Sequence, residues 1–168
     1  MRRRLALAGL VALIVGAGCA GRRAESGDTF SSPKGYSVRL PGGPWQMESD
    51  GRADVALRQS SSNAGMLVNA SCEDGPARRS LEALARQLLV GLHDRRVLEN
   101  GEVTVNGRPA AHALLEARAG EGAAPMRIEM YVIKAGRCVY DFLYAAPPAT
   151  FDAGRADFRG LVETLRTE

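Results

Sequence analysis

The sequence predicts an α+β domain with a mainly antiparallel sheet that lies between helices in a three-layer helix/sheet/helix arrangement. Three observations lead to this prediction. Short segments of alternating apolar and polar residues recur along the chain, as in half-buried strands. Most of these segments are separated by short turns, which favours antiparallel neighbours. Two further segments repeat apolar residues at helical spacing instead.

The first strands come before residue 73, and turn residues separate them. The break 41–44 reads Pro-Gly-Gly-Pro, and the connection 60–63 is polar. The predicted strands lie at residues 36–40, 45–48, 54–59 and 66–72.

The period changes to that of a helix after residue 80. Ser80 is a favourable N-cap, and Glu82 suits the positive end of a helix dipole. We therefore expect a helix over residues 81–93, which places His93 at its carboxyl end, where a cation suits the dipole. Its apolar face consists of Leu81, Leu84, Ala85, Leu88, Leu89 and Leu92.

Two hairpins follow the helix. Asn106-Gly107 is a strong signal for a tight turn between strands at residues 102–105 and 110–118. The second hairpin joins residues 126–133 to residues 138–146. Its strands are apolar on both faces, so we expect helices to cover both faces of the sheet.

The carboxyl terminus is predicted to form the last helix. Thr150 stands at its N-cap position, after Pro147-Pro148 ends the preceding strand. Its inward-facing residues are Phe151, Phe158, Leu161, Val162 and Leu165.

The amino terminus has the pattern of a secretory signal. Three arginines precede an apolar stretch at residues 5–18, which is shorter than the roughly 20 residues that a membrane-spanning helix needs. Small residues then lead into Cys19, as in bacterial lipoprotein signals, where the cysteine is acylated, for example with palmitate. The alternative is ordinary cleavage after Ala20, which gives a soluble secreted protein.

The domain organisation follows from this reading. Residues 1–18 are the lipoprotein signal peptide, residues 19–32 are the lipidated cysteine and a flexible tether, and residues 33–168 are the α+β domain. The expected location is the cell envelope, facing the periplasm from a membrane anchor. The absence of Asp at position 20 favours the outer membrane, by similarity to enteric lipoproteins.

Charge argues against a nucleic-acid partner. The leader removes three of the 22 basic residues, which leaves as many basic as acidic side chains. Binding to phosphates needs a clustered basic surface, and the mature chain offers no such cluster.

The chain resembles PsbP-like domains over about residues 30–166. The resemblance rests on Gly35-Tyr36-Ser37-Val38-Arg39-Leu40-Pro41 before Trp45, on Val103-x-Val105-Asn106-Gly107-x-Pro109-Ala110, and on Tyr144-Ala145-Ala146-Pro147 with Phe151 and Phe158. Bacterial lipoproteins of the DcrB and LpqN kinds contain such domains. The resemblance implies a non-enzymatic scaffold that binds or assembles other proteins.

Cys72 and Cys138 are the cysteines that remain beside Cys19. In an oxidising compartment they could form a disulfide, or they could stay reduced as small buried apolar residues. Both alternatives are open, because sequence does not give the distance between the two Cα atoms.

No catalytic set is predicted. His93 and His112 are the only histidines, and neither lies in a metal-ligand or triad spacing, so no metal and no cofactor is expected. The chain also lacks the Gly-x-Ser-x-Gly and phosphate-loop patterns. An aromatic set could be sheet core or line a groove; it consists of Tyr131, Tyr140, Phe142 and Tyr144.

The expected function is a membrane-tethered module that binds or assembles an unknown envelope protein. The alternative is a periplasmic carrier of a small apolar ligand or lipid, and an enzyme is not expected. An exposed apolar patch would favour the first and an enclosed apolar cavity the second. The connections 60–65 and 120–125 are candidate binding loops, because a rigid sheet would present them to partners.

Overall fold

The computed structural model describes residues 28–48 and 53–168, and this part of the chain is mixed α+β with antiparallel sheets. The predicted α+β class is confirmed. In chain order the elements are β1 (Thr29–Ser32), β2 (Tyr36–Arg39), β3 (Gln46–Met47), β4 (Val55–Gln59), β5 (Ala64–Ser71), α1 (Asp74–Ala77), α2 (Leu81–Leu88), β6 (His93–Val105), β7 (Arg108–Arg118), β8 (Pro125–Ala135), β9 (Cys138–Ala146), α3 (Phe151–Glu163) and β10 (Arg166–Thr167).

The main sheet dominates the fold. Its seven strands follow the order β3-β4-β5-β9-β8-β7-β6, and every neighbouring pair is antiparallel. Asn106 and Gly107, with φ angles of 50° and 75°, close the predicted hairpin between β6 and β7. Gly136, with φ of 58°, helps to close the second hairpin between β8 and β9. Both hairpin predictions are confirmed.

A second, small sheet has the order β1-β2-β10. It corrects the predicted tether of residues 19–32 at its carboxyl end, because residues 29–32 form β1 and pair with β2. Phe30 explains the difference, since its ring packs 6.1 Å from that of Tyr36 and against the core. The tether residues before 28 lie outside the described residues.

Helix α3 packs on one face of the main sheet. Phe151 and Phe158 are fully buried against Tyr144, and Trp45 donates a hydrogen bond of 2.9 Å to Asp157. Gly154 is required by this packing, because a Cβ there would lie 2.6 Å from the hydroxyl of Tyr144. The helix is thereby fixed closely against the sheet.

The residue before α3 behaves differently from the prediction. Thr150 holds the N-cap position, but its side chain makes no capping hydrogen bond. Its hydroxyl instead donates to the carbonyl of Ser62 at 3.1 Å. That bond joins the β4–β5 turn to the start of the helix, and Thr150 has φ of −115° and ψ of −1° instead of the extended backbone typical of a capping residue.

Helix α2 packs on the opposite face. Its N-cap is confirmed, because the Ser80 hydroxyl accepts a hydrogen bond of 3.2 Å from the Ala83 amide. Leu81 and Leu84 are buried on a patch formed by Ala111, Val132 and Val139. Only these two residues of α2 are buried, so this face is covered more lightly than the α3 face.

The end of α2 corrects the sequence prediction. The helix stops at Leu88, not at residue 93, and His93 is the first residue of β6 instead of a helix terminus. Gly91, with φ of 87°, reverses the chain between them. The strand expected only from residue 102 therefore begins nine residues earlier. Its exposed residues show no apolar alternation because β6 is an edge strand, so periodicity could not reveal it.

Candidate binding region along strand β6

The predicted site residues lie in different parts of the chain. Cys19 lies outside the described residues. Cys72 and Cys138 are bonded in the structure and join the end of β5 to the start of β9, with a separation of 66 residues. The bond lies beside α1, at the start of the segment that leads into α2.

The two candidate loops differ from each other. The connection predicted at residues 60–65 is shorter than expected, because Ala64 and Gly65 already belong to β5. Its carbonyl at Ser62 is bound by Thr150. The connection between β7 and β8 has Gly122 at φ of 74°, and Arg118 donates to the carbonyl of Ala123 within it.

The aromatic set divides between core and cavity. Tyr140, Phe142 and Tyr144 are buried in the core beneath α3. Tyr131 is only partly buried, and its ring lies 4.6 Å from that of His112. These two rings form part of the wall of a cavity.

A buried carboxylate organises the same face. Glu129 in β8 has 0% of its surface exposed. Arg155 donates to its Oε2 at 2.9 Å, Arg159 donates to its Oε1 at 2.8 Å, and His112 Nε2 lies 2.9 Å from Oε1. Tyr131 is a more distant partner, with its hydroxyl 3.5 Å from Oε1.

These partners hold Glu129 in its charged form. Burial alone would raise the pKa of Glu129, but hydrogen bonds from His112, Arg155 and Arg159 outweigh it and lower the pKa to about 2. A carboxylate with such a pKa, and with its oxygens occupied, is a poor general acid or base near neutral pH. The cluster therefore fixes α3 to the sheet rather than offering a reactive group.

A cavity of about 640 Å³ opens beside the cluster. It lies between the carboxyl half of β6 and the last turns of α3. Its floor carries His112 and Tyr131, and Arg159 brings a guanidinium to its wall. The apolar part of the wall consists of Val103, Val105 and Val162.

A second groove lies on the α2 side of the same strand and has a volume of about 460 Å³. Its floor is apolar, and Glu82 and Glu102 contribute acidic groups to its walls. The apolar lining consists of Ala85, Leu89, Val97, Ala111, Ala113, Leu115 and Met130.

Strand β6 thus has a depression on each face. Residues of α2 and α3 form the opposite walls of these depressions, and Arg155 of α3 reaches Glu99 of β6 at 3.9 Å, but within residues 28–48 and 53–168 the strand pairs with β7 alone. Val97, Leu98 and Val103 are exposed by 53%, 37% and 38%. An open strand edge with exposed apolar side chains is a surface on which another chain can pair.

Comparison with solved structures identifies the fold. A crystal structure from Bacteroides thetaiotaomicron matches with a TM-score of 0.62 at 13% identity, over 85% of this chain and 49% of that one. The solution structure of the cyanobacterial PsbP, CyanoP, from Synechocystis sp. PCC 6803 matches with a TM-score of 0.58 at 12% identity, over 90% of this chain and 98% of that one. The fold is PsbP-like.

The PsbP-like fold also occurs in LpqN, which is involved in cell envelope biogenesis of Mycobacterium tuberculosis. LpqN matches with a TM-score of 0.57 at 10% identity, over 84% of this chain and 90% of that one. The chain spans about half the length of the Bacteroides protein. No family model and no curated protein matches the sequence.

This PsbP-like domain shows neither a metal-binding cluster nor a membrane-spanning helix in its described residues. Within residues 28–48 and 53–168, no three His, Cys, Asp or Glu side chains are grouped to hold a metal ion. In the same part of the chain, no helix has the length and hydropathy that crossing a bilayer requires.

Sequence reasoning missed the main features of this region. Glu129, Arg155 and Arg159 were not singled out, because charged residues are common and their convergence depends on the packing of α3 on β8. The available signal was Glu129 itself, a charged residue in the middle of the otherwise apolar segment from Ile128 to Ile133. A charge in such a strand is buried only when it is paired.

Proposed function

We propose that this chain is a non-catalytic module of the bacterial cell envelope, anchored to a membrane through acylated Cys19, which binds another envelope protein. One observation carries the proposal. The main sheet ends in a long strand, β6, that neither helix covers and that exposes Val97, Leu98 and Val103. A monomeric domain usually protects such an edge, so an open one indicates a partner.

The envelope location is supported from two directions. The leader ends in small residues before Cys19, as lipoprotein signals do. The structurally similar LpqN is involved in cell envelope biogenesis. The PsbP-like domain would then face the periplasm, with an outer-membrane anchor favoured by Ala20.

The absence of catalysis is supported by the state of the polar cluster. Glu129 is the one fully buried charged side chain among the described residues, and three cationic or imidazole groups already occupy it. We also infer that α2 and α3, which pack on opposite faces of the sheet, form the predicted three-layer arrangement.

A carrier of a small apolar ligand is the second candidate. The apolar floor of the groove between α2 and β6 favours it. Both depressions are open along β6, however, and a carrier would be expected to enclose its ligand. Lipid extraction of the purified protein distinguishes the two, since a stoichiometric lipid would support the carrier.

The anchor is tested by Cys19→Ser in cells. We expect the protein to move from the membrane fraction to the soluble fraction, with the exposed-loop change Glu121→Gln as a control that leaves it on the membrane. Mass spectrometry of the wild-type protein should find diacylated or triacylated Cys19. An unmodified Cys19, or a chain that begins at Gly21, would show that the anchor is absent.

The binding role is tested by photo-crosslinking in cells. A photoreactive residue is placed at Val97 or Val103 on β6, and at Glu121 in the β7–β8 connection. We expect one defined adduct from both β6 positions and none from Glu121. Adducts from Glu121 alone would move the site to the loop, and no adduct from any position would count against a protein partner.

A further inference from the structure

The carboxyl half of β6 is built to accept another strand, an inference that rests on the proposed protein-binding function. We propose that residues 99–105 bind an extended segment of a partner protein, added antiparallel to the edge of the sheet. The segment carries an aromatic residue opposite Gly101 and a basic residue opposite Glu102.

The two halves of β6 differ in regularity. The register against β7 shifts between His93 and Arg96 and again between Val97 and Glu99. From Glu99 to Val105 it continues without interruption. Irregularities of this kind obstruct the addition of another strand, so an added strand would pair with the open second half, while the exposed Val97 and Leu98 of the first half remain available for side-chain contacts.

The open half still has backbone groups to satisfy. In an antiparallel pair, each strand turns only alternate residues towards its partner, so the others direct their N–H and C=O groups outwards. Within residues 28–48 and 53–168, no strand lies on that outer side of β6. An extended polypeptide satisfies a row of such groups, whereas an acyl chain cannot.

Gly101 leaves a gap in the edge strand, the notch, because it has no side chain. It lies directly opposite His112 of β7, and no atom lies within 4 Å of where its Cβ would be. Directly opposite residues project to the same face, so the missing side chain leaves an opening towards the rings of His112 and Tyr131. Glycine in an edge strand is stabilised by an aromatic residue from its neighbour.

The charge of Glu102 determines which residue type suits the position opposite it on the added strand. Glu102 projects to the other face, opposite Ala111, and lines the groove together with Glu82. Arg86 pairs with Glu82 at 3.6 Å, but within the described residues Glu102 has no ion-pair partner. A basic side chain opposite Glu102 would therefore complement the free carboxylate.

A second copy of this chain is a poorer occupant. Residue 102 is the midpoint of residues 99–105, so two-fold pairing over this stretch would set Glu102 directly opposite its own copy. Like charges in that position destabilise a pair of strands. The required basic residue must come from a different sequence.

The probe is a labelled peptide, Thr-Thr-Val-Lys-Phe-Thr-Thr, added to the purified full-length protein and followed by fluorescence anisotropy. Its Lys and Phe fall opposite Glu102 and Gly101. We expect Gly101→Val, which fills the notch, and Glu102→Lys each to weaken binding at least about tenfold. Replacing the peptide Lys by Glu should restore binding to Glu102→Lys. The control Glu121→Lys should bind like the wild type.

A separate control tests whether the peptide binds through backbone hydrogen bonds. The same peptide, N-methylated at alternate residues, should not bind, because it cannot form the ladder of hydrogen bonds. The unmodified peptide should slow amide exchange in residues 99–105. No binding at millimolar peptide, or equal binding by the N-methylated form, would overturn the proposal. Protection of these amides without peptide would also overturn it, since a second copy or another segment of the chain would then occupy the edge.

These outcomes are separate from the test of the proposed function. If β6 crosslinks to a partner in cells but the peptide does not bind, the protein-binding role stands and the added strand is wrong. If the peptide binds but no crosslink forms in cells, the edge accepts a strand and the envelope role is wrong.

Discussion

Two carboxylates on opposite faces of the main sheet, one fully buried and one partly buried, have contrasting surroundings. Glu129, on the α3 face, is bound by Arg155, Arg159 and His112. Asp141, on the α2 face, lines a small cavity of about 80 Å³ together with Leu84. No hydrogen bond or ion pair from the described residues reaches the Asp141 carboxylate. The pKa of Glu129 is lowered to about 2, whereas burial raises that of Asp141 to about 6.

The difference shows where the fold is firmly held and where it is not. On the α3 face, a satisfied charge and five buried helix residues hold α3 in place. On the α2 face, an unsatisfied charge lies beneath a helix with two buried residues. A partly buried charge without a partner destabilises its surroundings, so we expect α2 to open more easily than α3.

The largest effect is expected from Glu129→Gln. It removes the counter-charge of Arg159 and leaves Arg155 only its longer ion pair with Glu99 at 3.9 Å, and we expect a loss of about 3–5 kcal/mol in the free energy of unfolding. Urea denaturation at pH 7 measures it. Glu48→Gln, in the exposed pair with Arg58, is the control and should change stability far less. Equal effects of the two variants would show that the cluster does not hold α3.

Loss of the Cys72–Cys138 bond should weaken the attachment of the α1–α2 segment. Closure of a loop of 66 residues contributes at most about 4 kcal/mol in the chain-entropy model. Urea denaturation with and without reductant measures the change. Thiol titration of the unfolded, unreduced protein checks the bond itself, and two free thiols there would contradict it.

Replacing a leucine of α2 with alanine should destabilise the protein less than either of these changes. Leu84 is buried, and we expect Leu84→Ala to cost about 2–3 kcal/mol. Leu88 is only half-buried, so Leu88→Ala should cost less than the roughly 2–5 kcal/mol expected for a fully buried leucine. If Leu88→Ala were the more damaging of the two, the packing of α2 described above would be wrong.

Asp141→Asn should stabilise the protein at neutral pH by about 2 kcal/mol, because it removes a partly buried charge whose pKa is raised by desolvation. The destabilisation of the wild type by Asp141 is complete above pH 6 and disappears as the pH falls towards 4, where the variant should lose its advantage.

The contribution of Glu129 to stability has the opposite sign: it is favourable, is complete above pH 4.5 and is lost as the pH falls towards 2. Chemical denaturation between pH 2 and 8 measures both.

Local signals predicted much of the fold. The Ser80 cap, the Asn106-Gly107 turn and the strands of the central hairpin depend on neighbouring residues, and each is confirmed. The fold class followed from their order. The end of α2 was wrong because Leu92 continues the helical spacing although Gly91 has already ended the helix.

The candidate site could not be predicted to the same extent. The first part of β6 is exposed on both faces, so hydrophobic periodicity gives no signal for it. The convergence of Glu129 with Arg155 and Arg159 depends on how α3 crosses β8, which no local pattern encodes. The same holds for the isolation of Asp141 beneath α2.

Native-state hydrogen exchange at pH 7 tests the contrast between the two faces most directly. We expect the amides of α3 and β8 to exchange only with global unfolding, and those of α2 to exchange through a local opening of clearly lower free energy. Asp141→Asn should raise the opening free energy of α2 towards the global value. If α2 and α3 exchange with the same free energy in the wild-type protein, the difference between the two faces does not exist.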